Sequence, residues 1–396
     1  MRDTFSPTPT RMDAVQAPII PIVGEWIRQT PGTISLGQGV VHYGPPAAAL
    51  DAVREALADP ATHGYHDGAG LPVLVDRIAT KLAKENGTEI GRERQVLVTA
   101  GANMAFLHAV LTTTSPGDEV IVPVPFYFNH EMAIEMAGCR AVRVPTDAGY
   151  QLRLDAIRAA LSPRVRAIVT VSPNNPTGAV LTEASLREVN ELCRERGVYH
   201  ISDETYEYFT YGEARHVSPA SFPAAAGHTI AIYSLSKAYG FAGWRIGYMA
   251  YPSHLADAMM KSQDTIVICP PVASQIAAAA ALAVGRAYCE PHVRALGVLR
   301  ETVVMRLGAL APLAVVPAAE GAFYCLMRVD ADADPMAVAE RLVREHRVAV
   351  IPGPAFGMHE GCYFRVAFGA LQQATVAVGV GRLVEGLRRI LADRSR

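Results

Sequence analysis

The sequence predicts an α/β protein: a large three-layer α/β/α unit around a mostly parallel seven-stranded sheet, joined to a smaller α+β unit. Three observations lead there. Short β-branched runs alternate through the middle of the chain with longer segments whose apolar residues recur at helical spacing. The pattern changes near residue 290, where a long helical stretch precedes two strand-like runs and a further helix. Finally, 396 residues of which 50% are hydrophobic can bury one large core and a second, smaller one.

Taken in order, residues 1–44 are proline-rich with one short helix near Val23 to Gln29, and are expected to pack on the smaller unit. Residues 45–290 form the large unit and residues 291–396 the small one. Strands are expected at Val96 to Thr99, Glu119 to Val122, Ala141 to Val144, Ala167 to Val171, Val198 to Ser202, Thr229 to Tyr233 and Ile246 to Ala250. Between them, Met104 to Thr112, His130 to Met136, Leu154 to Leu161 and Glu183 to Arg196 read as helices. Ile276 to Val284 is the most apolar tract, about half of the roughly 20 residues a membrane span needs, so it reads as a buried helix. Glu290 to Leu310 and Pro335 to His346 are the helices of the small unit.

The formal net charge of -2 is not segregated, so there is no basic stripe for nucleic acid or an anionic membrane, and small polar substrates are expected. The opening residues lack an apolar run and a small-residue cleavage pattern, which points to a cytoplasmic protein. Six cysteines without a CxxC pair read as packing residues rather than a metal site. Asn86-Gly-Thr88 reads as a turn.

Chemistry concentrates in Tyr233-Ser-Leu-Ser-Lys-Ala-Tyr-Gly-Phe-Ala-Gly-Trp-Arg-Ile-Gly247, where a strand runs into two serines, a lysine, a glycine-rich loop and an arginine. Lys237 can supply an amine whose charge is suppressed by burial and by neighbouring cations. Ser234, Ser236 and Arg245 offer the hydroxyls and guanidinium fork that a phosphate monoester requires. Gly240 and Gly243 let the backbone turn closely around a ligand. A solvated lysine beside a loop is the commoner meaning of an isolated Ser-Xaa-Ser-Lys.

With Arg245 eight residues after the lysine, the segment resembles the cofactor signature of the fold-type-I, class I/II aminotransferases, enzymes of the aspartate and aromatic aminotransferase kind. The resemblance implies pyridoxal 5'-phosphate (PLP) as cofactor, Lys237 as its Schiff-base lysine, and Ser234, Ser236 and Arg245 on its phosphate. Other segments agree with it in order. Asp203 ends a strand-like run, where a carboxylate can keep a pyridine nitrogen protonated; the family follows it three residues on with a tyrosine, here Tyr206. Ser172-Pro-Asn-Asn-Pro-Thr-Gly178 is a stiff loop that matches the family's Asn-Pro-Thr-Gly, with Asn175 on the cofactor and the substrate carboxylate. Thr99-Ala-Gly-Ala-Asn103 leads from strand to helix, so Gly101, Ala102 and Asn103 match the family's phosphate-binding helix start. Tyr127 matches the ring stacked on the pyridine, with Phe126 as the alternative.

At the substrate end, Arg365 matches the arginine that forks the α-carboxylate, and Gly39 of Leu36-Gly-Gln-Gly39 matches the glycine closing over it. Tyr65 matches a tyrosine that reaches the neighbouring subunit's cofactor, which implies a homodimer with shared sites. The expected activity is ping-pong transfer of an amino group from an L-amino acid to a 2-oxo acid such as 2-oxoglutarate, with Lys237, Asp203 and Tyr206 as the catalytic set. Asn103 stands where some aspartate-specific relatives carry a lysine. The starts Asn103-Met-Ala-Phe106 and Tyr206-Glu-Tyr-Phe-Thr-Tyr211 resemble relatives acting on aromatic amino acids or methionine, so a neutral or aromatic donor is expected. Aspartate transamination and a non-transaminating lyase, cyclase or oxidase on the same scaffold are the alternatives. A nicotinamide dehydrogenase is disfavoured because no GxGxxG follows the first strand, and a DNA-binding ligand sensor because the chain has no room for the module.

Overall fold

A computed structural model describes residues 8–317 and 319–394. The strands in chain order are β1 (Ile34–Ser35), β2 (Arg94–Thr99), β3 (Glu119–Val124), β4 (Arg140–Pro145), β5 (Val165–Val171), β6 (Tyr199–Asp203), β7 (Thr229–Ser234), β8 (Gly247–Pro252), β9 (Ala314–Val315), β10 (Tyr324–Val329), β11 (Val348–Ala349), β12 (Ile351–Pro352) and β13 (Cys362–Ala367). Seven of them form one sheet in the order β2-β8-β7-β6-β5-β3-β4.

This is the predicted mostly parallel sheet: β4, β3, β5, β6 and β7 pair in parallel, and β8 runs antiparallel to both β7 and β2. The exception has a local cause. Parallel neighbours need a crossover, and between β7 and β8 the chain makes only a single turn of 3-10 helix at Ala242–Trp244. That connection carries Lys237 and Arg245. Ile121, Ile168, Ile201, Ile230 and Ile232 are fully buried in the sheet, so its strands read as apolar runs rather than alternating ones.

Helices Ala102–Thr113, Phe128–Met136, Leu154–Ala160 and Glu183–Arg196 lie where helical spacing predicts them. Glu183–Arg196 starts at Thr182, whose side chain accepts from the Ser185 N–H. A second, antiparallel sheet has the order β12-β13-β10-β9. Its β10–β13 ladder sets Leu326 opposite Arg365 and Tyr324 opposite Ala367. The early chain reaches this region twice: β1 pairs with β11 in parallel, and helix Ile19–Gln29 packs against helix Pro335–His346. No single helix among the described residues is long and apolar enough to cross a membrane. Because β2, β3, β5, β6 and β7 point the same way, their carboxyl ends share one edge of the large sheet, where ligand sites of open α/β folds form.

Candidate active site

At that edge lies a cavity of about 430 Å³, within the range of small-ligand sites. Its walls include Gly39, Ala102, Asn103, Tyr127, Asn175, Asp203, Tyr206, Ser234, Ser236, Lys237, Arg245 and Arg365. Segments spread from residue 39 to residue 365 are thus brought to one place.

Lys237 sits in its middle. The Lys237 Nζ donates to the Gly39 carbonyl at 2.6 Å and lies 6.0 Å from the centre of the Tyr206 ring. Burial, followed by the positive charges of Arg365 and Arg245, lowers its pKa to about 8 against the opposing pull of Asp203. Such an amine is far easier to obtain neutral near pH 7 than an ordinary lysine.

Asp203, at the end of β6, is buried and ionised. Burial would push its carboxyl up, but hydrogen bonding and charge from His130, together with Thr205, hold it below the usual range. His130 Nε2 lies 3.0 Å from Asp203 Oδ2, and the Thr205 N–H donates to Oδ1 at 3.0 Å. His130 stacks on Phe106 with centroids 4.0 Å apart. Tyr206 and Tyr324 share a hydroxyl–hydroxyl hydrogen bond of 2.8 Å. Burial drives the Tyr206 hydroxyl well above the ordinary phenol range, so it stays protonated.

An anion is called for at two places. Helix Ala102–Thr113 begins without a side-chain cap, leaving its first N–H groups directed to the cavity edge. Gly101 precedes it at φ +87°, and a Cβ there would lie 2.4 Å from an Arg245 guanidinium nitrogen. Only glycine leaves room for that guanidinium beside the helix start. Arg245 itself adopts φ +50°, donates to the Ala242 carbonyl at 2.9 Å, and has no carboxylate partner among the described residues. The second place is Arg365, 2% exposed. It donates to Asn175 Oδ1 at 2.9 Å and the Gly37 carbonyl at 2.6 Å, while its Nε is buried with no partner. A buried guanidinium without a counter-ion is costly unless a ligand carboxylate completes it.

The structure separates some expectations. Phe126 is buried in the core with its ring against Gly357, whereas Tyr127 lines the cavity. In Leu36-Gly-Gln-Gly39 it is the Gly37 carbonyl that touches Arg365, and Gly39 touches Lys237. Tyr65 is 81% exposed and lies outside this chain's cavity. Of the aromatic run Tyr206 to Tyr211, only Tyr206 lines the cavity; Tyr208, Phe209 and Tyr211 are core, Tyr211 donating to the Ala322 carbonyl. Sequence reasoning missed Ile20, Gln38, Phe128, Val171, Thr205 and Tyr324, which also line the cavity, and could not place His130. For His130 a usable signal is its spacing three residues after Tyr127, one helical turn behind it.

Comparison with known proteins gives the same answer. The family described as aminotransferase class I and II matches residues 31–383. An aromatic aminotransferase of Arabidopsis thaliana is 35% identical over 385 residues, 94% of each chain. An aspartate aminotransferase of Pyrococcus abyssi is 34% identical over 366 residues, 91% of this chain and 92% of that protein. Among solved structures, the aromatic aminotransferase of Pyrococcus horikoshii superposes with a TM-score of 0.84 at 33% identity, covering 93% of this chain and 99% of that one. The Thermus thermophilus aspartate aminotransferase with maleate superposes at 0.89 and 30% identity, covering 96% and 100%. The chain belongs to the class I and II aminotransferases. It is a PLP-dependent enzyme that transfers amino groups, and the anion-ready ends and buried amine of its cavity fit that cofactor.

Proposed function

We propose that the enzyme takes its amino group from a neutral or aromatic L-amino acid, methionine included, passes it to a 2-oxo acid such as 2-oxoglutarate, and uses Lys237, Asp203 and Tyr206 to do so. The observation that carries the site assignment is the buried Lys237 amine, its pKa lowered to about 8. When bound, PLP supplies an electron sink that stabilises negative charge at the substrate's Cα. Lys237 is then the residue that holds the cofactor and, once released, takes the proton from Cα and returns it. Asp203, kept a carboxylate with support from His130, would hold the cofactor's ring nitrogen in its protonated form. Tyr206, which stays protonated, and Asn175 would donate to the bound cofactor's ring oxygen, and Tyr127 would supply an aromatic surface to its ring.

Ser234, Ser236, Arg245 and the N–H groups at Gly101, Ala102 and Asn103 hold the phosphate. Arg365, aimed by Asn175 and the Gly37 carbonyl, forks the substrate's α-carboxylate, and Gly39 closes beside it. The donor preference is supported by the lining beyond these groups, where Ile20 and Phe128 are apolar and Gln38 and Asn103 are uncharged. Among the described residues every cation lining the cavity is therefore assigned, and none is left for a second substrate carboxylate. Aspartate transamination is the competing reading, favoured by the names of several relatives.

The proposal extends to assembly: a cytoplasmic homodimer in which the exposed Tyr65 enters the partner's site, each chain organised as residues 1–44, 45–290 and 291–396. Replacing Lys237 with Ala tests the centre of this reading. Turnover and the visible absorbance of lysine-linked cofactor should both disappear, and a variant that keeps either one defeats it. A donor screen in which only aspartate and glutamate react defeats the preference alone.

A further inference from the structure

Behind the segment that carries Tyr127 and Phe128 into the active cavity is a second cleft, of about 510 Å³, open between the two sheets. Its walls come from the ends of β3 and β4 and the turn after β4 on one side, and from β9, β10, β13 and the Gly357–Met358 turn on the other. Most of that wall is apolar, supplied by Val124, Pro145, Val315, Pro317, Met358 and the Tyr363 ring.

Its charges are unbalanced. Two arginines, Arg143 and Arg328, line it against one carboxylate, Asp147, and one oxygen of that carboxylate is engaged within its own turn. Asp147 Oδ1 accepts the Gly149 and Gln151 N–H groups at 2.8 Å each, as the closing acceptor of a turn. Arg143 spends its Nε on Glu131 at 2.7 Å. Arg328 is exposed and has no carboxylate partner among the described residues; on β10 it sits directly across from Tyr363 on β13 and Val315 on β9. A guanidinium free to form a fork, framed by an aromatic ring and aliphatic groups, is the arrangement that selects a carboxylate attached to an apolar body.

The floor of the cleft is strained. Tyr150 holds φ +62°, a conformation rare for an aromatic residue, and its hydroxyl crosses to the Leu326 carbonyl of β10 at 3.3 Å. It therefore bolts the turn after β4 to the second sheet beneath the cleft. The same region grips the active-site segment: the Phe126 N–H donates to the Phe356 carbonyl at 3.2 Å, and a Cβ at Gly357 would lie 2.5 Å from the Phe126 ring. Anything that fills the cleft touches both sheets and the back of the strand end that delivers Tyr127.

We propose that this cleft is an effector site for a small aromatic carboxylate, with Arg328 as its anion receptor, and that occupancy locks the two sheets in the arrangement seen here and slows turnover without competing for the amino-acid site. Coupling of this kind requires only that the ligand favour one arrangement of the two sheets over others. The site stands apart from the donor preference proposed above.

Phenylacetate is a suitable probe. Calorimetry on the Arg365→Ala holoenzyme, whose active cavity has lost its carboxylate fork, should still show one equivalent bound per chain, with a dissociation constant on the order of a millimolar. Adding Arg328→Ala should weaken that binding at least about tenfold. Acetate, which lacks the apolar body, should not bind in the same range. In the enzyme with Arg365 intact, phenylacetate should give inhibition that persists when the amino acid and the 2-oxo acid are both saturating, so that neither form of the active site is left open to it. Arg328→Ala alone should leave uninhibited turnover unchanged and abolish that persistent component. Loss of all binding in Arg365→Ala together with purely competitive inhibition of the unaltered enzyme overturns the proposal, as does binding or inhibition indifferent to Arg328→Ala. The kinetic arm uses only an exposed-residue variant, so it decides the matter even if Arg365→Ala folds poorly. Neither outcome bears on the role of Lys237, which its own replacement tests.

Discussion

On one side of the active cavity, Asn175, Asp203, Ser234, Ser236, Lys237 and Arg245 all come from the ends of three adjacent strands and the loops that follow them. On the other side, Ile20 comes from the first long helix, Phe128 from the helix after β3, and Tyr324 from the second sheet. The first wall is held by ladder hydrogen bonds that fix its atoms against one another. The second is assembled where separate parts meet, by packing and by the hydrogen bond between the Tyr324 and Tyr206 hydroxyls. A wall of the first kind suits chemistry that has to stay fixed, and one of the second kind can change its residues, and so its substrate, without disturbing the sheet.

The strongest way to break the fixed wall is Gly101→Ala. The added Cβ meets Arg245 and also demands φ +87° from a residue that resists it. Cofactor affinity should fall on the order of a thousandfold, combining backbone strain with lost charge-assisted hydrogen bonds. A reconstitution titration checks it, and near-normal affinity removes Arg245 and the helix start from the phosphate. Arg365→Ala should act chiefly on the substrate. Its kcat/KM for any amino acid should drop about a hundredfold, while above the Lys237 midpoint the cofactor is still bound and cofactor affinity changes far less than kcat/KM. Loss of both together would show that Arg365 supports the wall rather than the substrate.

The same contrast explains what was legible in the sequence. Ser234, Ser236, Lys237 and Arg245 lie within twelve residues of one strand and loop, so their spacing is preserved in the string itself. Asp203 and Asn175 follow strand-like runs, and strand ends are where such folds place ligands. Ile20, by contrast, is one of six apolar residues on a helix of which Ile19 and Val23 are core, and nothing local marks it out. Tyr324 begins a strand whose next residues are fully buried, so its hydroxyl contact with Tyr206 depends on how two sheets meet. The aromatic run after Tyr206 misled in the opposite direction, because helical or extended local patterns cannot say which of several tyrosines turns inward. β8 was legible as a strand, and its reversed direction followed from a connection without a crossover helix.

Two predictions of intermediate size test the charges of the fixed wall. In cofactor-free enzyme, the rate at which Lys237 captures PLP should rise with pH and level off above a midpoint near 8, since only the neutral amine reacts. Arg365→Ala removes one of the cations that lower this pKa, so the midpoint should move upward toward that of ordinary lysine. An unchanged midpoint would mean that Arg365 contributes nothing to it, leaving burial and Arg245. His130→Phe keeps the stack on Phe106 but deletes the donor to Asp203. Burial then raises the Asp203 carboxyl, and cofactor affinity should fall about tenfold, with the pH dependence of the bound cofactor's spectrum shifted. His130→Gln, which can again donate, should recover part of the affinity; a merely structural histidine would show no such difference between the two replacements.

The smallest effect is expected on the assembled wall. Ile20→Ala shortens an apolar side chain at the cavity without touching Lys237, Asp203 or Arg365. Losing such a contact is worth about 1–3 kcal/mol in discrimination, so kcat/KM for phenylalanine should fall roughly tenfold while that for alanine changes little. Ile20→Lys carries the comparison further by setting a cation among groups that now include none free for a second carboxylate. Aspartate should gain as phenylalanine loses, and the ratio of the two kcat/KM values measures how far specificity resides in this wall. If both ratios stay put, the packed wall is as indifferent to substrate as the sheet edge facing it, and donor choice has to come from other residues than Ile20 and its neighbours.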